Sequence, residues 1–245
     1  MTHRLDRLDD DALRARAAPF LAAPTPGHGL RVDVASGVAT LDEVAGSLLR
    51  ATFKTGRKAL YRKATSMRDV EDHDADELAT AVARAASLTA PEVLRASDSE
   101  LYTALPADDS LLGIDLPDVP AAELRAILDR FAVPSREFTD AELAGWAQSA
   151  LLDRSDAGRR LRTVDGLTGT AARHPGEWAI DGDQLIPLGF PSAWRSATVI
   201  PSDAERAFLD AIRPAIEALR PEFDRRRRGP WLDRTGAAFE ALGAV

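Results

Sequence analysis

The sequence predicts an α+β fold built as two lobes, a small β-rich N-terminal lobe with one helix and a larger, mainly helical C-terminal lobe. Three observations carry this. Short strand-like runs flank a single helical segment in the N-terminal part, and a loop from Pro106 to Pro120 rich in Asp, Pro and Gly interrupts the chain. Beyond that loop the apolar spacing is mostly helical. At 245 residues the chain has room for two small lobes sharing a cleft. The expected divisions are 1–29 as an N-terminal helical extension, 30–106 as the N-lobe and 107–245 as the C-lobe.

Taken in order, Asp9 to Leu21 reads as a short amphipathic helix, stopped by Pro24, Pro26 and Gly27. Asp42 to Leu49 reads as helical, ahead of an extended run from Leu49 to Phe53. Lys54-Thr55-Gly56-Arg57 signals a turn, and Ala59 to Lys63 resumes as a strand on which Tyr61 and Lys63 share a face. After an acidic loop, Leu78, Ala81, Val82 and Ala85 give Asp74 to Leu88 the spacing of one helix face. Pro91 ends it, and Val93–Arg95 and Glu100–Leu105 follow as short strands.

Past the boundary loop, Ala121 to Phe131 and Asp140 to Leu152 read as helices, the second with Thr139 as its N-cap. Gly158 to Leu167 reads as a third. Thr168 to Ile200 mixes Gly and Pro with alternating apolar residues, as loop and hairpin do. Ser202 and Glu205 form a capping-box pattern opening a helix to Leu219, which Pro214 kinks or breaks. The run Arg225-Arg226-Arg227-Arg228 precedes a last helix, Leu232 to Leu242. There are no internal repeats.

Composition removes several function classes. An apolar content of 45% suffices for a buried core, and the abundance of Ala, Arg, Asp and Leu is what a GC-rich genome produces. A net charge of -8 argues against a general nucleic-acid binder, which needs clustered Lys and Arg. The absence of cysteine excludes disulfides, thiolate catalysis and Cys-based zinc sites. Met1 to Pro19 mixes charges without an apolar h-region, and no stretch of about 18 apolar residues occurs. The expectation is a cytoplasmic chain with no membrane partner.

The informative stretch runs from Asp165 to Gly189. Asp165, Leu167, Gly169, Arg173, His174, Pro175, Gly176 and Trp178, then the apolar run Leu185-Ile186-Pro187-Leu188, are in register with one motif. This stretch resembles the catalytic loop and metal strand of atypical kinases related to the phosphatidylinositol 3-/4-kinases and HipA-like kinases. The resemblance implies a two-lobed, protein-kinase-like fold with ATP as its nucleotide. In such a loop an Asp accepts the proton of the acceptor hydroxyl, an Asn holds a metal, and a second Asp after the next strand bridges metal to phosphate. Here the chemical positions are replaced. Thr170 stands for the loop Asn, Ala172 for the catalytic Asp, Glu177 for the metal Asn and Gly189 for the metal Asp. Upstream, Lys63 fits the nucleotide-phosphate lysine and Glu77 the glutamate that pairs with it. Ala35-Ser36-Gly37-Val38 is the nearest counterpart of a Gly-rich phosphate loop.

Each residue also has a plainer reading. Lys63 is a strand-edge lysine or a phosphate ligand, and Glu77 a solvent-facing carboxylate or the partner of Lys63. Arg173 is structural or phosphate-facing, and His174 packs the loop rather than binding metal, since no other histidine lies at ligand spacing. Glu177 could hold magnesium through oxygen, but Gly189 leaves the ligand pair incomplete. Asp181 and Asp183 read as hairpin-turn residues, the four-Arg run as a solvated face or a site for an acidic partner, and Trp178 and Trp194 as core. The nucleotide-binding candidates are therefore Lys63, Glu77, Arg173, His174 and Glu177, with no catalytic residue and no complete metal site. The expectation is a pseudokinase with a regulatory, scaffolding or protein-binding role, one in which ATP binding can persist without a dependable magnesium site. The alternative is an active phosphotransferase or nucleotidyltransferase using Glu177 as metal ligand.

Overall fold

The computed structural model describes residues 29–45, 48–106, 111–170, 173, 175–181, 184–190, 192–201 and 204–243. The helix expected at Asp9–Leu21 lies outside them, as do Ala172, His174, Asp183 and Ser202. The chain enters through α1 (Gly29–Ser36) and forms β1 (Val38–Ala45), β2 (Leu48–Phe53) and β3 (Lys58–Lys63). Helix α2 (Met67–Ala85) then precedes β4 (Val93–Ser97) and β5 (Glu100–Ala104). The five strands form one antiparallel sheet in the order β1-β2-β3-β5-β4.

Two expectations fail in this part. The described residues of Asp42 to Leu49 are not helical: Asp42 pairs with Arg50 and Glu43 with Leu49 between antiparallel β1 and β2. Cross-strand pairing to a strand already held by β3 outweighs a weak helical spacing. The acidic segment before Asp74 is not a loop but about the first two turns of α2. Ser66 caps it, accepting from the Asp69 amide at 3.2 Å, while the Asp69 carboxylate accepts from the amides of Ser66 at 2.9 Å and Thr65 at 2.7 Å. Those bonds from Thr65, and then Ser66, hold the Asp69 pKa down to about 2. The Lys54–Arg57 turn and the strands after Pro91 form where expected.

The C-terminal part is mainly helical. It comprises β6 (Leu111–Leu112), a 3-10 turn (Gly113–Asp118), α3 (Ala121–Arg130), α4 (Asp140–Arg154) and α5 (Asp156–Thr168). A 3-10 turn (Pro175–Glu177), the hairpin β7 (Trp178–Asp181) and β8 (Gln184–Pro187), α6 (Arg206–Glu217), α7 (Arg220–Arg225) and α8 (Gly229–Gly243) complete it. Thr139 starts α4 with a capping box to Glu142, 2.9 Å from its amide. Helix α6 begins later than the sequence pattern suggests, with Glu205 at its N-cap, and ends within a turn of Pro214. β6, β7 and β8 form a second, three-stranded antiparallel sheet. Among the described residues no helix is long and apolar enough to cross a membrane.

Three apolar clusters organise the packing. One lies on the outer face of the large sheet, where Leu30 of α1 meets Ala51, Phe53, Ala59, Tyr61 and Tyr102. The largest fills the helical part, and α2 belongs to it. Leu78, Ala79, Val82 and Ala83, each 0% exposed, pack with Leu161, Val164 and Leu167 of α5 and Leu209 and Ile212 of α6. The third joins the two sheets: Leu60 with Leu112, Ala179, Ile186 and Leu188.

Candidate functional site

Strand β3 decides what faces the space between the two sheets. Alternation along a strand sends Ala59 and Tyr61 into the outer cluster and Leu60 into the inter-sheet one. Arg62 follows Leu60 inward. Its guanidinium makes an ion pair with Asp76 of α2 and lies against Gly189, where an added Cβ would come within 2.5 Å of Nη2 and 3.0 Å of Cζ. Gly189 is therefore needed for close approach of the arginine, whatever else it does. Asp76 is 1% exposed, and its second oxygen accepts from the Phe190 amide at 2.6 Å. One carboxylate thus ties β3, α2 and the segment after β8 together.

Lys63 and Glu77 are not brought together. Lys63 is exposed and pairs in register with Glu100 on the face it shares with Tyr61, turned from Gly189. Glu77 is taken by Arg226, 2.6 Å away, with Arg95 at 3.9 Å. The structure instead pairs Arg62 with Asp76, one residue earlier on both sides and with the same separation of 14 positions. Sequence reasoning missed both residues because the spacing fits either pair.

Arg173 is structural. Its Nε and Nη2 donate to the two oxygens of Asp165 at 2.9 and 2.6 Å, and Nη1 donates to the carbonyls of Glu177 at 3.0 Å and Gly189 at 2.9 Å. Its guanidinium also sits 4.3 Å from the centre of the Phe190 ring. With these donors engaged and a side chain only 2% exposed, it has little left for a phosphate. Burial raises the Asp165 pKa, against the opposing pull of Arg173. Thr170 bonds the Thr168 hydroxyl at 2.8 Å, and its amide donates to the Asp165 carbonyl at 2.8 Å. Glu177 is buried in the turn before β7, its carbonyl also accepting from Leu188 at 2.8 Å. Asp181 is exposed at the β7–β8 hairpin, as its turn reading requires. Gly37, with φ of +92°, turns the chain from α1 into β1.

The junction between the two sheets is apolar. Leu60, Leu112, Ala179, Ile186 and Leu188 are between 0% and 7% exposed and pack on one another, with Leu48, Leu105 and Ile114 around them. Among the described residues no cluster of His, Asp and Glu could hold a metal ion, and beside Gly189, where the resemblance implies a metal carboxylate, lies the Arg62 guanidinium. Trp178 and Trp194 are core, as expected, and Trp194 donates to Thr235 at 3.2 Å.

The four-Arg run has an intramolecular acidic partner. Arg226 grips Glu77, and Arg228 reaches Asp74 at 3.0 Å and Glu71 at 3.7 Å. From the sheet side, Arg95 holds Asp74 at 2.5 Å, and Arg195, ahead of α6, pairs with Asp72. Opposed arginines neutralise α2, whose acids would otherwise repel one another.

No family model matches the chain, and no curated protein does. Among solved structures, the open conformation of CtTel1 aligns with 77% of this chain and 10% of its own, at 13% identity and a TM-score of 0.34. This chain therefore spans about a tenth of that protein's length, and a score this low carries no argument about fold or function.

Proposed function

We propose that this chain is a catalytically inactive, kinase-like domain whose inter-lobe cleft is packed shut, with a regulatory or scaffolding role exercised through a protein partner. The observation that carries the reading is Arg62, held by Asp76 against Gly189. In kinases a cation on the third strand pairs with a carboxylate on the following helix, and a separate Asp holds magnesium. Here the strand-to-helix pair is present in altered form, and its cation lies where the magnesium ligand is expected. A magnesium ion beside Gly189 would have to displace the Arg62 guanidinium from its ion pair with Asp76. Loss of a positioned base costs a further factor of about 10²–10⁴ in rate.

Two more features support the same reading. The apolar contact of Leu60 with Ile186 and Leu188 leaves a base nowhere to enter without separating the sheets. Helix α2 is buried in the larger core through Leu78, Ala79 and Val82, so parting the lobes would expose those side chains too. Glu177 alone offers one carboxylate where two ligands are needed, which disfavours the active alternative.

The test is thermal melting with ATP, with and without magnesium, alongside an ATP hydrolysis assay. The expected result is no turnover above an unrelated protein and no melting shift. A real site filled at about 100 times its Kd would add about 2.7 kcal/mol. Turnover abolished by Asp76→Asn, or a shift that needs magnesium, would overturn the proposal.

A further inference from the structure

Helix α2 carries one buried histidine beside the lock. His73 is 3% exposed, and its Nδ1 has no hydrogen-bond partner. The charges that face it come from three elements: Asp69 and Asp76 on its own helix, Arg62 on β3 and Arg95 on β4. Neither arginine is free to swing away, because Arg62 is bound to Asp76 and Arg95 to Asp74. Burial, and next the positive charge of Arg95, push the His73 pKa below its ordinary value, so the ring is neutral at pH 7.

Protonation changes what the ring requires. A neutral imidazole has one N–H, whereas the imidazolium has two and needs an acceptor for each. The carboxylates within helical reach are Asp76, three positions on, Glu77, four positions on and held by Arg226, and Asp69, four positions back. Asp69 is already bonded to Thr65 and Ser66. Of the three, Asp76 alone is buried with the ring, and an imidazolium there competes with Arg62 and the Phe190 amide for its two oxygens.

We propose that His73 is an acid-operated release for the inter-lobe lock: on taking up a proton from solvent it draws Asp76 from Arg62 and from the Phe190 amide, and the junction between α2 and the end of β8 loosens. Two anchored guanidinium groups beside the new imidazolium supply the repulsion that drives the rearrangement. The inference stands on the arrangement of His73, Arg62, Asp76 and Phe190 and is independent of whether the cleft takes a nucleotide.

The test follows imidazole resonances of the full chain by NMR through a pH titration, together with hydrogen exchange at the Phe190 amide. The chain has four histidines, so His73→Gln assigns the signal. The expected midpoint lies below the ordinary histidine value of 6.5, and Arg95→Gln raises it. Phe190 exchange, corrected for its intrinsic pH dependence, should accelerate about tenfold or more through that midpoint, and His73→Gln should abolish the step. A midpoint at or above 6.5, or Phe190 protection unchanged through the transition, would overturn the proposal. Should His73→Gln fail to fold, a chain carrying His3→Gln, His28→Gln and His174→Gln leaves His73 as the one imidazole signal, and its titration with and without Arg95→Gln decides it.

Discussion

Replacing Arg62 by Met removes the guanidinium and keeps most of the apolar stem, so the change isolates the charge that ties β3 to α2. The Asp76 carboxylate, whose side chain is 1% exposed, would keep only the Phe190 amide as partner. Stranding a buried charge by removing its partner costs about 3–5 kcal/mol. The arginine side chain is 14% exposed, little enough that solvent does not screen the pair away. For a chain of this size each kcal/mol lowers Tm by about 2–4 °C, so Arg62→Met should melt about 6–20 °C lower. Asp76→Asn keeps an oxygen for the Phe190 amide while removing the negative charge, and leaves a less buried arginine unpaired at about 1–3 kcal/mol. The double variant carries neither charge and retains the Phe190 bond, so it should recover about 2 kcal/mol relative to Arg62→Met. Urea unfolding followed by tryptophan fluorescence and far-UV circular dichroism measures all three. An Arg62→Met cost below about 1 kcal/mol, or a double variant no more stable than Arg62→Met, would refute the claim that this pair is a buried, coupled lock.

Other perturbations address other parts of the structure. In Gly113→Ala the new methyl would meet Trp178 Cζ2 at 2.5 Å and the Pro175 carbonyl at 2.6 Å, and a backbone oxygen cannot step aside. That overpacking should cost about 1–3 kcal/mol with the far-UV spectrum retained, measured by urea unfolding. Arg226→Ala and Arg228→Ala should each cost about 0.5–1 kcal/mol at low salt, and the loss should shrink near 1 M salt, which partly screens these half-buried ion pairs. Both tyrosines should resist ionisation: burial and then Glu100 raise Tyr102, and raise Tyr61 to about 12. With the folded value above the ordinary one, this stabilisation is complete below pH 10.0 and is lost as pH rises toward about 12. Absorbance near 295 nm should therefore show little tyrosinate at pH 10 until the chain unfolds.

The residues of the candidate lock show where sequence reading stops. Arg62 and Lys63 are both cationic, Asp76 and Glu77 both acidic, so the separation of 14 holds for either pair. A strand has a period of two, and an error of one position reverses the face. The clue was Leu60: an apolar residue two before Arg62, like Ala59 two before Tyr61, left both faces of β3 equally apolar in sequence. The start of α2 was obscured for a related reason. Its first turns are acidic and carry little apolar periodicity, and the arginines that make them stable come from Arg95, Arg195, Arg226 and Arg228, distant in the chain.

The sequence by itself determined what is local or what is missing: the helices beginning near Ala121, Asp140 and Gly158, the Thr139 cap, the turn at Lys54–Arg57, and the lack of a carboxylate at Gly189. These follow from dihedral preference, spacing and residue identity, which need no partner. Only the tertiary structure decided that Arg62 faces Gly189, that α2 packs with α5 and α6, and that Leu60, Ile186 and Leu188 close the space between the sheets. Those outcomes depend on which surfaces meet, and burial energy is a property of the pair of surfaces, carried by neither strand nor helix alone.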